Sequence, residues 1–388
     1  MKRVYLDYAA TTPVDSRVKK AMEPFLSEKF GNTMSLHSFG QEAKLAVEKS
    51  RKTIANFINA KTNEIIFTGS ATESNNLALK GIAFLNKNKN HIIISAIEHH
   101  CILESAKWLE KQGWEITKIP VDKFGKINLE DIKNAIKPET ILVSVIHASN
   151  EIGTVQDIAE IGRICREKKV YFHTDASQSF GKTKIDVKKD NIDLLTASSH
   201  KVYGPKGAGL LYVREGIKLA PLLHGGGQEN GLRSSTVNTP AIVGFAKAVE
   251  IYEKEAKKEN ARLLKIRDKI IKKLLKIEGC HLNGHPKDRL ANNINVRFDY
   301  IEGESLVMHL DIAGIACSTC SACSSTTLEP SHVLLATGLK PGQAHGSLRI
   351  SLGRFTTEKE INYLLKILPK IVKKLMEISP FKNSYVFK

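Results

Sequence analysis

Short apolar segments that alternate with helical segments most constrain how this chain of 388 residues can fold. Residues 141–146, 170–174 and 192–196 are mostly apolar, and an amphipathic helical segment at 157–168 separates the first two. Strands that are apolar on both faces are typical of a parallel sheet that helices cover on both sides. The alternation therefore predicts an α/β fold built on a mainly parallel sheet.

Polar side chains follow the ends of the predicted strands. Ligand groups in such sheets gather beyond the carboxyl ends of the strands. Each of these residues alone says little, but their shared position predicts one ligand site. The residues at such positions are Thr72, His99, Asn150, Asp175, Gln178, Ser198, His200 and Lys201.

Lys201 lies just past the apolar segment 192–196. A lysine there is either a solvated residue at the rim of the sheet or an amine held for covalent chemistry. Upstream, segment 69–76 joins a strand to a helix through small residues. The backbone N–H groups of that helix start would bind an anion, or a hydroxyl side chain there would only cap the helix.

A strand-end lysine, a strand-end acid and a helix start suited to phosphate are together the parts of a pyridoxal phosphate site. Lys201 would form a Schiff base with the cofactor aldehyde, and Asp175 would keep the ring nitrogen protonated. His99 would either stack on the cofactor ring or be a buried histidine satisfied by hydrogen bonds. The phosphate would be held by three groups: Thr72, Ser198 and His200.

The hydropathy of the chain and its N-terminus indicate a cytoplasmic protein. No apolar run approaches the roughly 20 residues of a membrane span, and the first residues contain no apolar signal core. The net charge is +17. It indicates either a nucleic-acid partner such as tRNA or a lysine-rich surface. The scattered positions of the lysines favour the second explanation.

Chain length and pattern predict two domains. Residues 253–260 form a charged helical stretch with no predicted core face, and a helix with an apolar stripe begins at Leu263. We therefore expect a large cofactor-binding domain at 15–255 and a small α+β domain formed by 1–14 and 256–388. The small domain would carry a mobile loop around Cys323, because that stretch is rich in Ser, Thr and small residues.

Three of the six cysteines, Cys317, Cys320 and Cys323, fall within seven residues. A disulfide framework is not expected in a large cytosolic chain. The three thiols are either a chance grouping, a redox pair that relays sulfur, or ligands to iron or an iron–sulfur cluster. The metal prediction therefore falls on Cys323, together with Cys317 and Cys320.

Many short motifs together resemble one family over nearly the whole chain. The chain resembles a cysteine desulfurase of the NifS/IscS type, within the class V aminotransferase-like family of fold-type I. The motifs lie at 31–32, 35–38, 69–76, 98–99, 150–153, 175–178, 198–209, 225–229, 232–234, 321–324, 328–331 and 348–355. The chain departs from the family pattern at Thr33, Met34, Ser235 and Cys320.

The resemblance implies a seven-stranded, mainly parallel sheet in the large domain and a role for each matching residue. Lys201 would carry pyridoxal 5'-phosphate, and His99 would stack on its ring and relay a proton. Cys323 would be the nucleophile that takes the sulfur. The other cofactor contacts would be Ala71, Thr72, Asn150, Asp175, Gln178, Ser198 and His200, with Thr236 reaching the partner subunit's cofactor. The substrate contacts would be Asn32, Asn150 and Arg349.

The implied reaction converts L-cysteine to L-alanine in a homodimer and leaves a persulfide on Cys323. The sulfur would pass to an iron–sulfur scaffold protein of the IscU type, or to a tRNA-thiolation enzyme. A selenocysteine lyase or aminotransferase of the same fold is an alternative, and so is a non-enzymatic scaffold that binds a partner or cluster through the three-cysteine loop. The motifs favour the desulfurase over these alternatives.

Overall fold

The computed structural model describes residues 3–86, 88–319 and 329–380. Its strands are β1 (Val4–Tyr5), β2 (Ile65–Thr68), β3 (His91–Ser95), β4 (Glu115–Ile119), β5 (Thr140–Ser144), β6 (Tyr171–Asp175), β7 (Leu194–Ser198), β8 (Gly209–Val213), β9 (Cys280–Leu282), β10 (Asn293–Phe298), β11 (Ile315–Ala316) and β12 (Ser347–Ser351). Its helices are α1 (Ser16–Met22), α2 (Pro24–Ser27), α3 (Ser38–Phe57), α4 (Ala71–Leu85), α5 (His100–Glu110), α6 (Leu129–Ala135), α7 (Ile158–Glu167), α8 (Thr239–Leu274), α9 (Gly303–Ile312), α10 (His332–Ala336), α11 (Pro341–His345) and α12 (Glu358–Ile378).

The largest sheet within the described residues has seven strands in the order β2-β8-β7-β6-β5-β3-β4. Neighbouring strands from β7 to β4 are parallel, whereas β8 runs antiparallel to both β2 and β7. Strands β2, β3, β5, β7 and β8 are buried at every position. Burial on both faces explains the continuous apolar runs in the sequence, and the α/β prediction is confirmed.

A second core lies around a small antiparallel sheet of order β12-β10-β9. Apolar residues of α8, α9 and α12 pack on this sheet, among them Leu263, Leu306 and Leu368. The N-terminal arm joins the same core, because Leu6 is fully buried there and β1 pairs with β11. This arrangement agrees with placing residues 1–14 beside the C-terminal part of the chain. The domain boundaries themselves stay a prediction.

Two helices, α1 and α2, follow the N-terminal arm, and Pro24 begins the second. One local prediction was wrong, namely that residues 253–260 have no core face. The stretch 253–260 does have an inward face, since Glu259 is buried and accepts a 2.9 Å hydrogen bond from Arg354 Nε. It lies inside the continuous helix α8, so no break in secondary structure marks residue 255.

Side chains at the helix starts explain where several helices begin. Ser70 Oγ accepts a hydrogen bond from the backbone N–H of Glu73 and caps α4. Thr357 and Glu360 form a capping box at the start of α12. Helix α12 continues through Pro369 to Ile378. Among the residues that the structure describes, no helix is both long and apolar enough to cross a membrane.

Candidate active site

A cavity of about 400 Å³ lies at the carboxyl edge of the seven-stranded sheet. Residues that follow β3, β5, β6 and β7 meet the start of α4 there, as expected at this edge of an α/β sheet. Most of the predicted site residues line it. They are Ala71, Thr72, His99, Asn150, Asp175, Gln178, Ser198, His200, Lys201 and Arg349.

Asp175 is the last residue of β6, and its carboxylate is held at both oxygens. Asn75 Nδ2 donates to Oδ2 at 2.7 Å, and the backbone N–H of Ser177 donates to Oδ1 at 2.9 Å. The residue is 4% exposed. These two donors fix the carboxylate at the floor of the cavity, where it can pair with a protonated ring nitrogen.

Lys201 follows β7 and lies against the N-terminal arm. Its Nζ donates to the carbonyl oxygens of Ala9 and Ala10 at 2.6 and 2.7 Å. Gln178 Nε2 also donates to the Ala9 carbonyl, at 2.8 Å. The arm is attached to the segment beyond β7, because the Thr12 N–H donates to the His200 carbonyl at 3.0 Å. The arm therefore forms one wall of the cavity next to the amine.

His99 caps the N-terminus of α5 and lines the same cavity. Its Nδ1 accepts a hydrogen bond from the backbone N–H of Cys101 at 3.2 Å, and Cys101 Sγ lies 3.0 Å from the same nitrogen. Burial lowers the pKa of His99. The imidazole is therefore favoured in its neutral form.

The opposite end of the cavity is formed by the start of α4 and the end of β7. Ala71 and Thr72 are the first residues of the helix, whose positive dipole end faces the cavity edge. His200 Nδ1 lies 3.1 Å from Thr11 Oγ1, and burial lowers the pKa of His200 to about 4. This end can therefore bind a phosphate through N–H and hydroxyl donors.

Arg349 on β12 reaches the cavity from the small antiparallel sheet. Its Nη2 donates to Asp7 Oδ1 at 2.9 Å, and its Nη1 donates to the backbone carbonyl of Asn150 at 3.1 Å. The side chain is 4% exposed. A buried guanidinium at the cavity wall is suited to binding a carboxylate with two hydrogen bonds.

Two of the predicted site residues that the structure describes lie outside this cavity. Asn32 is exposed and its Oδ1 accepts from the N–H of Met34. Thr236 is also exposed, in the segment between β8 and α8. Neither residue lines the cavity. Their assignments stay predictions, and that of Thr236 concerns the partner subunit's site.

Of the three clustered cysteines, the structure describes Cys317. It is buried, and burial raises the pKa of its thiol to about 12. The predictions for Cys320 and Cys323 lie outside the described residues. The residues that the structure does describe contain no group of three His, Cys, Asp or Glu side chains able to hold a metal ion.

Sequence reasoning missed two residues that contact the predicted ones. Asn75 lies one helical turn after Ala71 on α4, whereas the sequence placed residues 69–76 in the turn before a helix. Cys101 lies two residues after His99, and no sequence pattern assigned it a role. Their functions become visible only through the distances between side chains from different elements.

The cavity has the groups that pyridoxal 5'-phosphate requires. It contains an amine, an anchored carboxylate, an imidazole and a helix start. Within the described residues, the buried Ser177 Oγ lines it and has no hydrogen-bond partner. A volume of about 400 Å³ is within the range of cofactor sites. The residues therefore fit the cofactor.

Comparison with known proteins gives the family. The aminotransferase class-V profile matches residues 4–364. The chain belongs to this family, in its cysteine desulfurase branch of the NifS/IscS type. The cysteine desulfurase IscS of Methanosarcina thermophila is 53% identical over 98% of this chain and 94% of its own length.

Two solved structures are similar to this fold. A NifS-like protein has a TM-score of 0.91 and 39% identity, and the match covers 96% of this chain and 100% of that one. SspA in complex with cysteine has a TM-score of 0.82 and 40% identity, with 92% and 100% coverage. These similarities confirm the fold-type I prediction.

Proposed function

We propose that this protein is a pyridoxal-phosphate-dependent cysteine desulfurase that converts L-cysteine to L-alanine and leaves the sulfur on Cys323. The observation that carries this proposal is the meeting of Lys201 and Asp175 in one cavity, at the ends of neighbouring strands. The names of the relatives support the same activity. The SspA complex with cysteine supports the substrate.

The cofactor would be held along the length of the cavity. Lys201 would bind its aldehyde, Asp175 its ring nitrogen and Gln178 its ring hydroxyl, while His99 would stack on the ring. When bound, the cofactor supplies an electron sink for the bonds at the substrate's α- and β-carbons. The phosphate contacts would be Ala71, Thr72, Ser198 and His200.

The substrate would be oriented by Arg349 and Asn150. Arg349 would bind the α-carboxylate through its Nη groups, which requires it to exchange at least one of its present acceptors, Asp7 Oδ1 and the Asn150 carbonyl. Such a bidentate pair fixes the plane of the carboxylate. Neutral His99 would exchange a proton with the substrate.

The sulfur would then move to Cys323. Its thiolate would attack the substrate sulfur, forming an S–S bond as the C–S bond breaks. The electron pair of the broken bond stays with carbon, which takes a proton to give alanine. The persulfide would be passed to an iron–sulfur scaffold protein of the IscU type. A tRNA-thiolation enzyme is the alternative acceptor, and an iron–sulfur cluster at Cys317, Cys320 and Cys323 stays an alternative role of that loop.

We further propose that the protein is a homodimer in the cytoplasm. A row of large apolar side chains is exposed along α2, the following loop and α3: Leu26, Phe30, Met34, Leu36, Phe39 and Leu45. Such an exposed apolar surface is typical of an interface. Thr236 would reach the partner's cofactor phosphate across it. The large and small domains would be 15–255, and 1–14 with 256–388.

Incubation of the purified protein with L-cysteine and dithiothreitol tests the activity. We expect sulfide and alanine in equal amounts, with both lost in Cys323→Ala. Cys165→Ala removes a buried core thiol that does not line the cavity and should keep the wild-type rate. Full activity of Cys323→Ala would contradict the nucleophile assignment. Cys317→Ala and Cys320→Ala test a sulfur relay through either thiol.

A further inference from the structure

A chain of hydrogen bonds connects the acid of the cavity to its histidine through two residues with no assigned role. Asn75 Nδ2 lies 2.7 Å from Asp175 Oδ2 and 3.1 Å from Cys101 Sγ. Cys101 Sγ lies 3.0 Å from His99 Nδ1. Asn75 is fully buried, and Cys101 and His99 both line the cavity.

The donors and acceptors of this chain can be assigned from chemistry alone. A carboxylate only accepts, so the Asn75 group beside Asp175 is the NH₂ group. Its second proton is then available to Cys101 Sγ. His99 Nδ1 accepts the backbone N–H of Cys101 at 3.2 Å and therefore carries no proton. The thiol S–H is the group left to donate to Nδ1.

We propose that Cys101 and Asn75 are positioning residues that hold His99 in the neutral tautomer with its proton on Nε2. The thiol donates to Nδ1, and Asn75 orients the thiol by donating to its sulfur while bonded to Asp175. Protonation of Nδ1 requires both donors to that nitrogen to be displaced. This inference rests on the proposed function only in naming His99 as a proton donor.

A thiolate–imidazolium pair is the competing arrangement, and the geometry contradicts it. In that pair Nδ1 would carry a proton. The backbone N–H of Cys101 already donates to Nδ1 at 3.2 Å, so a proton on Nδ1 would point at another N–H proton. Burial also raises the pKa of the Cys101 thiol to about 12. Cys101 is therefore a neutral donor and not a second sulfur nucleophile.

Titration of His99 by NMR on histidine-labelled holoenzyme tests the proposal. Cys101→Val fills the volume without a donor, whereas Cys101→Ser keeps a donor of similar size. We expect Cys101→Ser to titrate as the wild type does. In Cys101→Val the midpoint of His99 should rise by about 0.7 pH unit, because a lost hydrogen bond of about 1 kcal/mol corresponds to that shift.

The charged and titratable groups facing His99 are the same in both variants. They are Asp175, Lys201, His100 and His332. A difference in the His99 midpoint between Cys101→Val and Cys101→Ser therefore measures the effect of the hydrogen bond donated from position 101. The signal of His173, which is buried and bonded to Ser144 at 2.8 Å, serves as an internal reference and should not move. A His99→Asn spectrum assigns the His99 signals.

The desulfurase assay adds a second readout. Cys101→Val should lower kcat and Cys101→Ser should restore it. An unchanged His99 midpoint in Cys101→Val overturns the inference even if the enzyme is active. A wild-type protein that produces no alanine overturns the proposed function but leaves the titration result valid. The two failures are therefore distinguishable.

Discussion

Glu98 is a fully buried carboxyl group that directly precedes His99 in the chain. Its Oε1 accepts from Ser95 Oγ and from the backbone N–H of Ile146, both at 2.6 Å. Its Oε2 has no partner among the described residues. Burial raises the pKa of Glu98 to about 8. The folded protein therefore favours the protonated acid.

A raised pKa makes stability depend on pH in a defined direction. The neutral Glu98 contributes stability that is fully present below the pKa of the unfolded chain, near 4.5, and is lost as pH rises through about 8. We expect Glu98→Gln, which cannot ionise, to remove this loss. Urea unfolding at pH 5.5 and pH 8 measures this. Between the two pH values, the free energy of unfolding of Glu98→Gln should rise relative to that of the wild type by at most about 1.4 kcal/mol per pH unit.

Glu110→Gln provides the control for this prediction. Glu110 is exposed on α5, so its substitution should give the same difference from wild type at both pH values. Equal pH dependence in Glu98→Gln and wild type would contradict the assignment of a protonated Glu98.

At the residue scale, the sequence predicted most of the side chains that line the cavity and missed two that contact them. Lys201 and Asp175 could be predicted because several polar residues share positions beyond the carboxyl ends of the strands. Asn75 and Cys101 could not, because their importance depends on distances of about 3 Å across different elements. Position along the chain does not encode such distances.

At the element scale, the segment before α8 is fixed to the sheet by a buried ion pair. Arg51 on α3 donates from Nη1 to Glu229 Oε2 at 2.6 Å, and the two side chains are 9% and 4% exposed. Glu229 also accepts the backbone N–H of Phe67 on β2 at 2.7 Å. This pair anchors the segment that carries Thr236.

We expect Arg51→Met to destabilise the protein strongly, because it leaves the Glu229 carboxylate buried and unpaired. Breaking such a pair costs about 3–5 kcal/mol, and urea unfolding measures it. Lys61→Met is the matched control: the Lys61–Glu215 pair is 57% and 55% exposed. Lys61→Met should lower the free energy of unfolding by less than about 1 kcal/mol. Equal losses in the two variants would contradict the role given to the buried pair.

The predicted apolar segments 141–146, 170–174 and 192–196 correspond to β5, β6 and β7, with ends that differ by one or two residues. Apolar runs reveal that a strand is buried but not which direction it takes in the sheet. The antiparallel direction of β8 therefore came from the structure alone. The ionic network that uses Glu259 inside α8 was likewise hidden, because its charged residues resemble an exposed surface in sequence.

At the scale of the whole molecule, the exposed apolar row from Leu26 to Leu45 predicts a dimer. Leu36 is 92% exposed and Leu45 is 70% exposed. Exposed apolar side chains of this kind are stabilised when a second chain covers them. Sequence alone placed Thr236 at a partner's site only through family resemblance, since contacts between chains leave no local pattern.

A charged pair of substitutions in this row should separate the subunits. Light scattering should give twice 43.0 kDa for the wild type and a single chain for Leu36→Glu/Phe39→Glu. Activity should fall with the dimer, because Thr236 would no longer reach the partner's cofactor. Leu85→Glu changes an exposed residue at the end of α4 and should stay dimeric. A monomeric wild type would contradict the assembly.

The bond between Lys201 and the cofactor is the central claim, and borohydride reduction followed by peptide mapping tests it most directly. Reduction makes the attachment permanent, so mass spectrometry can locate the modified lysine. The account predicts a pyridoxyl group on the peptide that contains Lys201 and its loss in Lys201→Ala. A pyridoxyl group on another lysine, or none in protein loaded with the cofactor, would contradict it.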